Sequence, residues 1–453
     1  MNALIENIGI KNLYFKDQVF GNQFFKSEIK NLEKYMRENL KSDSPFILLT
    51  AYNHVKTIIA FYAILKLGKV AVIINPELRS IELTEVIEET DPAAIILMNA
   101  SGIHFNYEEE LLFRTASSNF IVHSNLDDVV ILMYSNAEEG KAKAAMITQH
   151  NILSALHTFI RVEGITEKNS ICALLPYHHL FGLTYGLILP FYIGCNALIS
   201  DLNLLRFNDL VKSLKKAAVT NIFSIPTFYY LLSRAPGIKD AFKNTNDFIS
   251  GGIKLSPKIY ETFLKATGKK LREGYGLTES APGVTLTPHN EFTDLDSIGQ
   301  VLPNCEIKIF NDKGNECIGL ETGEIYIKGD IVFKGYFNNQ QATEKNLKDG
   351  WLHTGDLGTK NDKGYIQYKG LKKQMYNVAG NNVFPNELER LMKMYKDVKD
   401  VQIYKENSEL QGDIVCAQVE LGRPSEKNIE NFKKWCVKNI TNYKLPKVWE
   451  FVK

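Results

Sequence analysis

The chain alternates between short runs that are apolar at nearly every position and longer stretches with mixed faces. FILLT (46–50), KVAVIINP (69–76), AAIILMN (93–99) and VVILMYS (129–135) show no polar side. Short runs without alternation suit strands covered on both faces, as in a parallel sheet. Between them lie TIIAFYAILKLG (57–68), closed by Gly68, and the helix-like IELTEVIEET (81–90). Strand, helix and strand repeated at this spacing predict βαβ units. ICALLP (171–176) and TNIFSIP (220–226) continue the theme. GLTYGLILPFYIGCNALI (182–199) is the most apolar segment, yet its glycines and Pro190 suit a buried helix and strand. No run approaches the ~18 apolar residues of a membrane span.

Near residue 295 the texture changes. EIKIF, GEIYIKG and GYIQYKG alternate apolar and polar positions and are separated by NDKGN and NDKG turns, which predicts a small antiparallel unit. After Gly370 come ELERLMKMY and NIENFKKWCVKNI as helices, with VKDVQIYK and DIVCAQVEL as strands. The expected fold is α/β. A large N-terminal domain of covered βαβ sheets spans 1–370, with a small β-barrel-like subdomain near 295–370. A small α+β C-terminal domain occupies 371–453.

Charge narrows the partners little. Fifty-three Lys and Arg against fifty-two Asp and Glu leave a net charge of +1 over 453 residues, so no charge excess points to nucleic acid or an anionic membrane. The six cysteines stand singly, with no CxxC pair and no zinc-ligand spacing, as buried thiols do in a reducing compartment. The N-terminus lacks the basic start and apolar core of a signal peptide. A cytoplasmic protein without an integral membrane segment is expected.

The chemistry lies in an ordered series of motifs. A strand and a polar turn, MYSNAEEGKAKAAM (133–146), are followed by LLPYHHLFGL (174–183), SGGIKLS (250–256), EGYGLTES (273–280), GWLHTGDLG (350–358) and GNNVFPNELE (380–389). This series resembles the adenylate-forming superfamily of acyl-CoA synthetases, peptide-synthetase adenylation domains and luciferases, and is most similar to the acyl-CoA synthetase branch. The likeness runs from about residue 45 to the C-terminus, with YGLTE and HTGDLG its most specific parts. It implies two steps. A carboxylate attacks the α-phosphate of ATP to give an acyl-adenylate, and a thiol of CoA or of a carrier's phosphopantetheine then takes the acyl group. The small C-terminal domain moves between the steps.

Residue by residue, the resemblance makes Glu279 the Mg²⁺ ligand and Thr278 a hydroxyl beside the α-phosphate. A hard oxygen ligand suits that ion. Asp356 matches the carboxylate on the ribose, and His179 the histidine at the mouth of the acyl pocket, with a smaller role for His178. Gly251, Gly252 and Ile253 match a turn near adenine and acyl chain, where glycine permits close backbone approach. Tyr275 and Gly276 belong to the pocket wall, Gly276 facing the acyl side as well. Ser135, Gly140 and Lys143 are what remains of the phosphate loop, and Gly380 matches the turn beside the pantetheine tunnel.

The phosphate loop departs from the family pattern. Glu138 and Glu139 stand where two threonines would donate to the β- and γ-phosphates, and Ala137, Ala142 and Ala144 replace glycine or proline. Two unit charges about 4 Å apart repel by roughly 4 kcal/mol at an effective dielectric near 20, enough to weaken a triphosphate contact strongly. Leu371 and Gln374 replace the ribose arginine and the pivot aspartate of the hinge. KLPKVWEFVK matches the segment just before the family's adenylation lysine. Lys444, Lys447 and Lys453 do not align with that lysine and read as surface charge. Two functions remain open. One is an AMP-forming acid–thiol ligase using ATP, Mg²⁺ and a fatty or other apolar carboxylic acid. The other is a non-adenylating member that binds acyl-adenylate, acyl-CoA or an acyl carrier protein as a transfer or assembly partner.

Overall fold

The computed structural model describes the chain except residues 1–2, 7, 99–101, 116–121, 136–141, 201–206, 290–294, 373–375, 379–380, 409–411 and 453. The apolar runs of the first 150 residues form a six-stranded sheet. Phe46–Thr50, buried at all five positions, lies between Val70–Ile74 and Ala94–Ile96 and is parallel to both. Val129–Ser135 adds in parallel beside Val70–Ile74, and Lys143–Thr148 closes that side as an antiparallel edge. The helix Val55–Lys66 is buried from Val55 to Leu65, which explains why its sequence is apolar all round. His54 starts it: its Nδ1 accepts a hydrogen bond from the Lys56 amide at 3.2 Å. The buried cation of this helix, Lys56, is paired with buried Glu110 at 2.9 Å.

A second parallel array runs Asn196–Ile199, Ser170–Leu174, Asn221–Ser224, Asp247–Ser250 and Arg272–Tyr275. The strand Leu13–Phe15 extends it at one edge, parallel to Asn196–Ile199. At the other edge the two-residue strand Thr285–Leu286 pairs antiparallel with both Gly274–Tyr275 and Gln300–Val301. The alternating strands follow: Ser297–Val301, Tyr365–Leu371, Trp351–Lys360, Gly323–Gly329 and Cys305–Phe310. The antiparallel unit is where its turns place it. Thr285–Leu286 joins it to the parallel strands as one fourteen-stranded sheet.

Leu371 ends the last strand of that sheet, and Tyr376 begins a separate five-stranded one. Helices Pro385–Lys393 and Glu426–Asn439 pack on this smaller sheet around Leu388, Leu391, Val401, Val415, Phe432 and Cys436. The C-terminal module meets the rest of the chain at helix Ser80–Thr90. There Lys444, read from sequence as surface charge, is buried. Its Nζ donates to Glu82 at 2.6 Å and to Glu387 at 2.9 Å, and the Thr441 amide donates to Glu82 at 3.0 Å. A side chain whose partners are more than fifty positions away carries no local signal of burial. Burial opposes the charge on Lys444, but Glu387, Tyr443 and Glu82 outweigh it and hold the ammonium above its ordinary range. Arg390 adds a two-pronged pair to Glu85 at 2.8 and 3.1 Å. Among the described residues no helix is long and apolar enough to cross a membrane.

Candidate active-site cleft

The parallel strands of both sheets end at one cleft of about 1200 Å³. Open α/β sheets place ligands outside the carboxyl ends of their strands. Ser135 and Lys143 face each other in register at the base of the Val129–Ser135/Lys143–Thr148 hairpin, and both are buried. The connecting loop, with Glu138, Glu139 and Gly140, lies outside the described residues. Lys143 Nζ sits 5.3 Å from the centre of the Tyr336 ring. The Tyr336 hydroxyl in turn donates to Glu279 Oε1 at 2.9 Å. Three segments far apart in sequence thus meet around one carboxylate.

Glu279 lies in the single helical turn Thr278–Ser280, just beyond strand Arg272–Tyr275. The Ser280 hydroxyl accepts from the Leu277 amide at 2.9 Å, and the Glu279 carbonyl accepts from Phe333 N–H at 2.9 Å, so both sides of the turn are fixed. Gly276 has no room for a side chain, since a Cβ there would lie 2.7 Å from the Gly283 nitrogen. Thr278 and Glu279 line the cleft, and Glu279 Oε2 accepts no hydrogen bond from any described residue. A carboxylate oxygen left to the cleft fits a hard divalent cation.

Asp356 is buried on strand Trp351–Lys360 and accepts from the Tyr275 hydroxyl at 2.6 Å. Burial and this carboxylate push the Tyr275 phenol well above its ordinary range, so Tyr275 stays a donor. Leu371 is the direct cross-strand partner of Asp356 and also lines the cleft. The register therefore sets a side chain that cannot hydrogen-bond beside the Asp356 carboxylate. Gln374 lies outside the described residues, as does Gly380.

Gly251, Gly252 and Ile253 follow strand Asp247–Ser250. The Gly251 amide donates to the Ser224 carbonyl at 3.1 Å, and Gly252 has φ +78°, a conformation that favours glycine. His179 is exposed at the cleft, while His178 is half-buried beside it, their rings 4.6 Å apart. Burial and the neighbouring His179 push the His178 imidazole well below its ordinary range, which keeps it neutral. Sequence reasoning passed over Glu273 and Lys254, although both stand inside the quoted motifs. Lys254 Nζ reaches Glu273 at 2.8 Å and the Leu295 carbonyl at 2.6 Å, and the Leu255 amide donates to Glu273 at 2.8 Å. Burial raises the Glu273 carboxyl to about 7 despite the lysine. This pair ties the glycine turn to the strand that carries Tyr275. Tyr336 was also missed, for it lies in no motif.

A separate group, Glu163, Asp247 and His289, lies within metal-binding distances. Arg272 already spans it, 2.5 Å from Glu163 and 2.8 Å from Asp247, and so offsets one of its two carboxylate charges.

The AMP-binding enzyme family matches residues 25–337, and the chain belongs to that family. A long-chain-fatty-acid–CoA ligase of Salmonella typhimurium is 33% identical over 329 residues, 72% of this chain and 58% of that protein. The chain thus spans little more than half the length of the long-chain ligases it matches. A 2-succinylbenzoate–CoA ligase of Bacillus subtilis is 28% identical over 440 residues, 93% of this chain and 87% of that protein. Among solved structures, a double mutant of o-succinylbenzoate CoA synthetase from Bacillus subtilis, bound to a product analogue, superposes with a TM-score of 0.84. It is 23% identical and covers 100% of this chain and 95% of its own. That likeness extends to the C-terminal module and establishes the shared mixed α/β architecture.

Proposed function

We propose that this chain is an AMP-forming acyl-acid–thiol ligase of the acyl-CoA synthetase type. One observation carries the reading: Ser135, Lys143, Gly252, Tyr275, Thr278, Glu279 and Asp356, scattered over 220 positions, line a single cleft. In this reading Asp356, aimed by Tyr275, accepts the ribose hydroxyls of ATP. Lys143 and the Thr278 hydroxyl meet the phosphates, where negative charge builds as the carboxylate attacks. Glu279, steadied by Tyr336, would hold Mg²⁺, which when bound neutralises phosphate charge. Neutral His178 and exposed His179 border the acyl side, and the thiol of CoA or phosphopantetheine completes the transfer. Gly251 and Ile253 shape the wall between adenine and acyl group.

Leu371 favours a second reading, in which acyl-adenylate or acyl-thioester is bound without being made, because the ribose side has lost a donor. Incubation with Mg-ATP, CoA and a panel of carboxylic acids, read by mass spectrometry, separates the two. AMP and acyl-CoA appearing together support the ligase. Acyl-CoA binding with no AMP from any acid supports the second reading and overturns the first.

A further inference from the structure

A recess of about 70 Å³ opens from the cleft beside Gly274–Gly276, Gly252 and Pro282. Its interior is apolar, and no charged side chain lines it among the described residues. Aromatic rings close the far side. Tyr185 and Phe223 are stacked with centres 5.3 Å apart and planes 10° from parallel, while Phe159 lies 4.7 Å from Tyr185 and 5.5 Å from Phe223. The Tyr185 hydroxyl donates to the Pro282 carbonyl at 2.6 Å, which pins the ring.

The backbone holds this floor in place. Tyr185 sits in a π-helical segment, Leu183–Ile188, a geometry that often marks functional sites. Gly182 precedes it and Gly186 lies within it; a Cβ would lie 2.2 Å from the Pro176 oxygen at the first and 2.6 Å from the Ala173 Cβ at the second. The segment is packed too closely to swing aside. The walls are equally tight: a Cβ on Gly283 would lie 2.5 Å from the Tyr185 hydroxyl, and one on Gly251 3.0 Å from Phe181.

Resting on the ligase reading, we infer that the acid substrate is a short apolar monocarboxylate, with Tyr185 and Phe223 setting the length limit. The carboxylate and nucleotide belong with the polar groups of the cleft, and the recess, which opens beside Gly252 and Gly276, offers the tail an apolar seat. The 70 Å³ available is under half of the ~150 Å³ of an apolar cavity that takes up benzene. That leaves room for a tail of a few carbons and not for a long chain. A second carboxylate in the recess would be desolvated without a cation to pair it. Long-chain and dicarboxylic acids fit this recess poorly, although relatives of both kinds share the fold.

The test is calorimetric binding of 5′-O-(N-acylsulfamoyl)adenosines carrying butanoyl, hexanoyl, decanoyl, hexadecanoyl or succinyl groups, with pyrophosphate release from the matching free acids in parallel. Butanoyl and hexanoyl compounds should bind at least ten-fold more tightly than hexadecanoyl and succinyl ones. Leu302 also lines the recess; Phe223→Leu and Leu302→Ala should move the optimum to longer chains, and Leu302→Phe to shorter ones, each checked for native circular dichroism. The wild-type series decides the matter even where a variant misfolds. Hexadecanoyl or succinyl binding as tight as butanoyl overturns the inference and leaves the ligase reading standing. Short-chain binding without pyrophosphate release from any acid overturns the ligase reading and supports the length limit. Failure of every compound to bind overturns both.

Discussion

On the side of the cleft built by the fourteen-stranded sheet, Asp356 and Glu279 each take a tyrosine hydroxyl, at 2.6 and 2.9 Å, and line open space. On the side where the C-terminal module docks, Glu82 and Glu387 close around Lys444. The first pair is aimed by strand register and by packing within one unit. The second holds two units together by charge. One wall is fixed by the fold and the other by a few charges, and in the proposed two-step reaction the second is the one that would move.

The largest expected effect falls on the second wall. Lys444→Met leaves two buried carboxylates without their cation, and losing one partner of a buried pair costs about 3–5 kcal/mol. The docked arrangement should open, seen as faster proteolysis between the units and a larger radius of gyration in solution scattering. Glu82→Gln and Glu387→Gln in the same chain should restore most of the loss. Unchanged proteolysis would show that the ion cluster does not hold the wall.

Acid should separate the two regions next. Burial, with Lys56 and Lys16 nearby, lowers the His54 imidazole from 6.5 to about 4. Its folded-state value is depressed, so the stability it contributes is present above pH 6.5 and lost as pH falls through 4. At about 1.4 kcal/mol per unit, the loss is at most about 3 kcal/mol. Glu387 is shifted the other way: burial raises it, only partly offset by Lys444. Its contribution is present below the ordinary carboxylate value of 4.5 and is lost as pH rises through the raised one. Acidification from pH 6.5 should therefore lower the melting temperature of the large unit, while Glu387 acts in the opposite sense on the module that carries it. Thermal denaturation followed separately in each unit would report these opposite signs, and His54→Asn should flatten the first.

Substitutions on the fixed wall should act on ligand more than on fold. Asp356→Ala removes a charged acceptor worth about 1.5–3 kcal/mol, so Mg-ATP affinity should fall roughly 10- to 100-fold by calorimetry. Tyr336→Phe removes one hydrogen bond to Glu279, near 1 kcal/mol, and should weaken Mg²⁺ dependence about five-fold in a metal titration. A module released by Asp356→Ala, or nucleotide affinity lost in Lys444→Met with no change in docking, would blur the distinction between the walls.

Covered strands such as Phe46–Thr50 and Val129–Ser135 were legible because burial on both faces leaves an apolar run in the sequence. The C-terminal helices were legible from their periodicity. Thr285–Leu286, two residues long, was not, because its strand character comes only from its neighbours. The same holds for the site. Glu279 and Asp356 stood in recognisable motifs, but Tyr336, Glu273 and the floor made by Tyr185 and Phe223 became visible only when distant segments met. Lys444 was misread for that reason. Leu371 shows the converse: its replacement of arginine was plain in sequence, while its place opposite Asp356 needed the register.

ATP–pyrophosphate exchange with butanoate probes the proposed adenylating cleft most directly, comparing the wild-type chain with Glu279→Gln and Asp356→Asn. Label should enter ATP only when acid is present, and each substitution should cut the rate at least ten-fold at unchanged melting temperature. Exchange in neither wild type nor any acid of the panel, or exchange indifferent to both carboxylates, would contradict it.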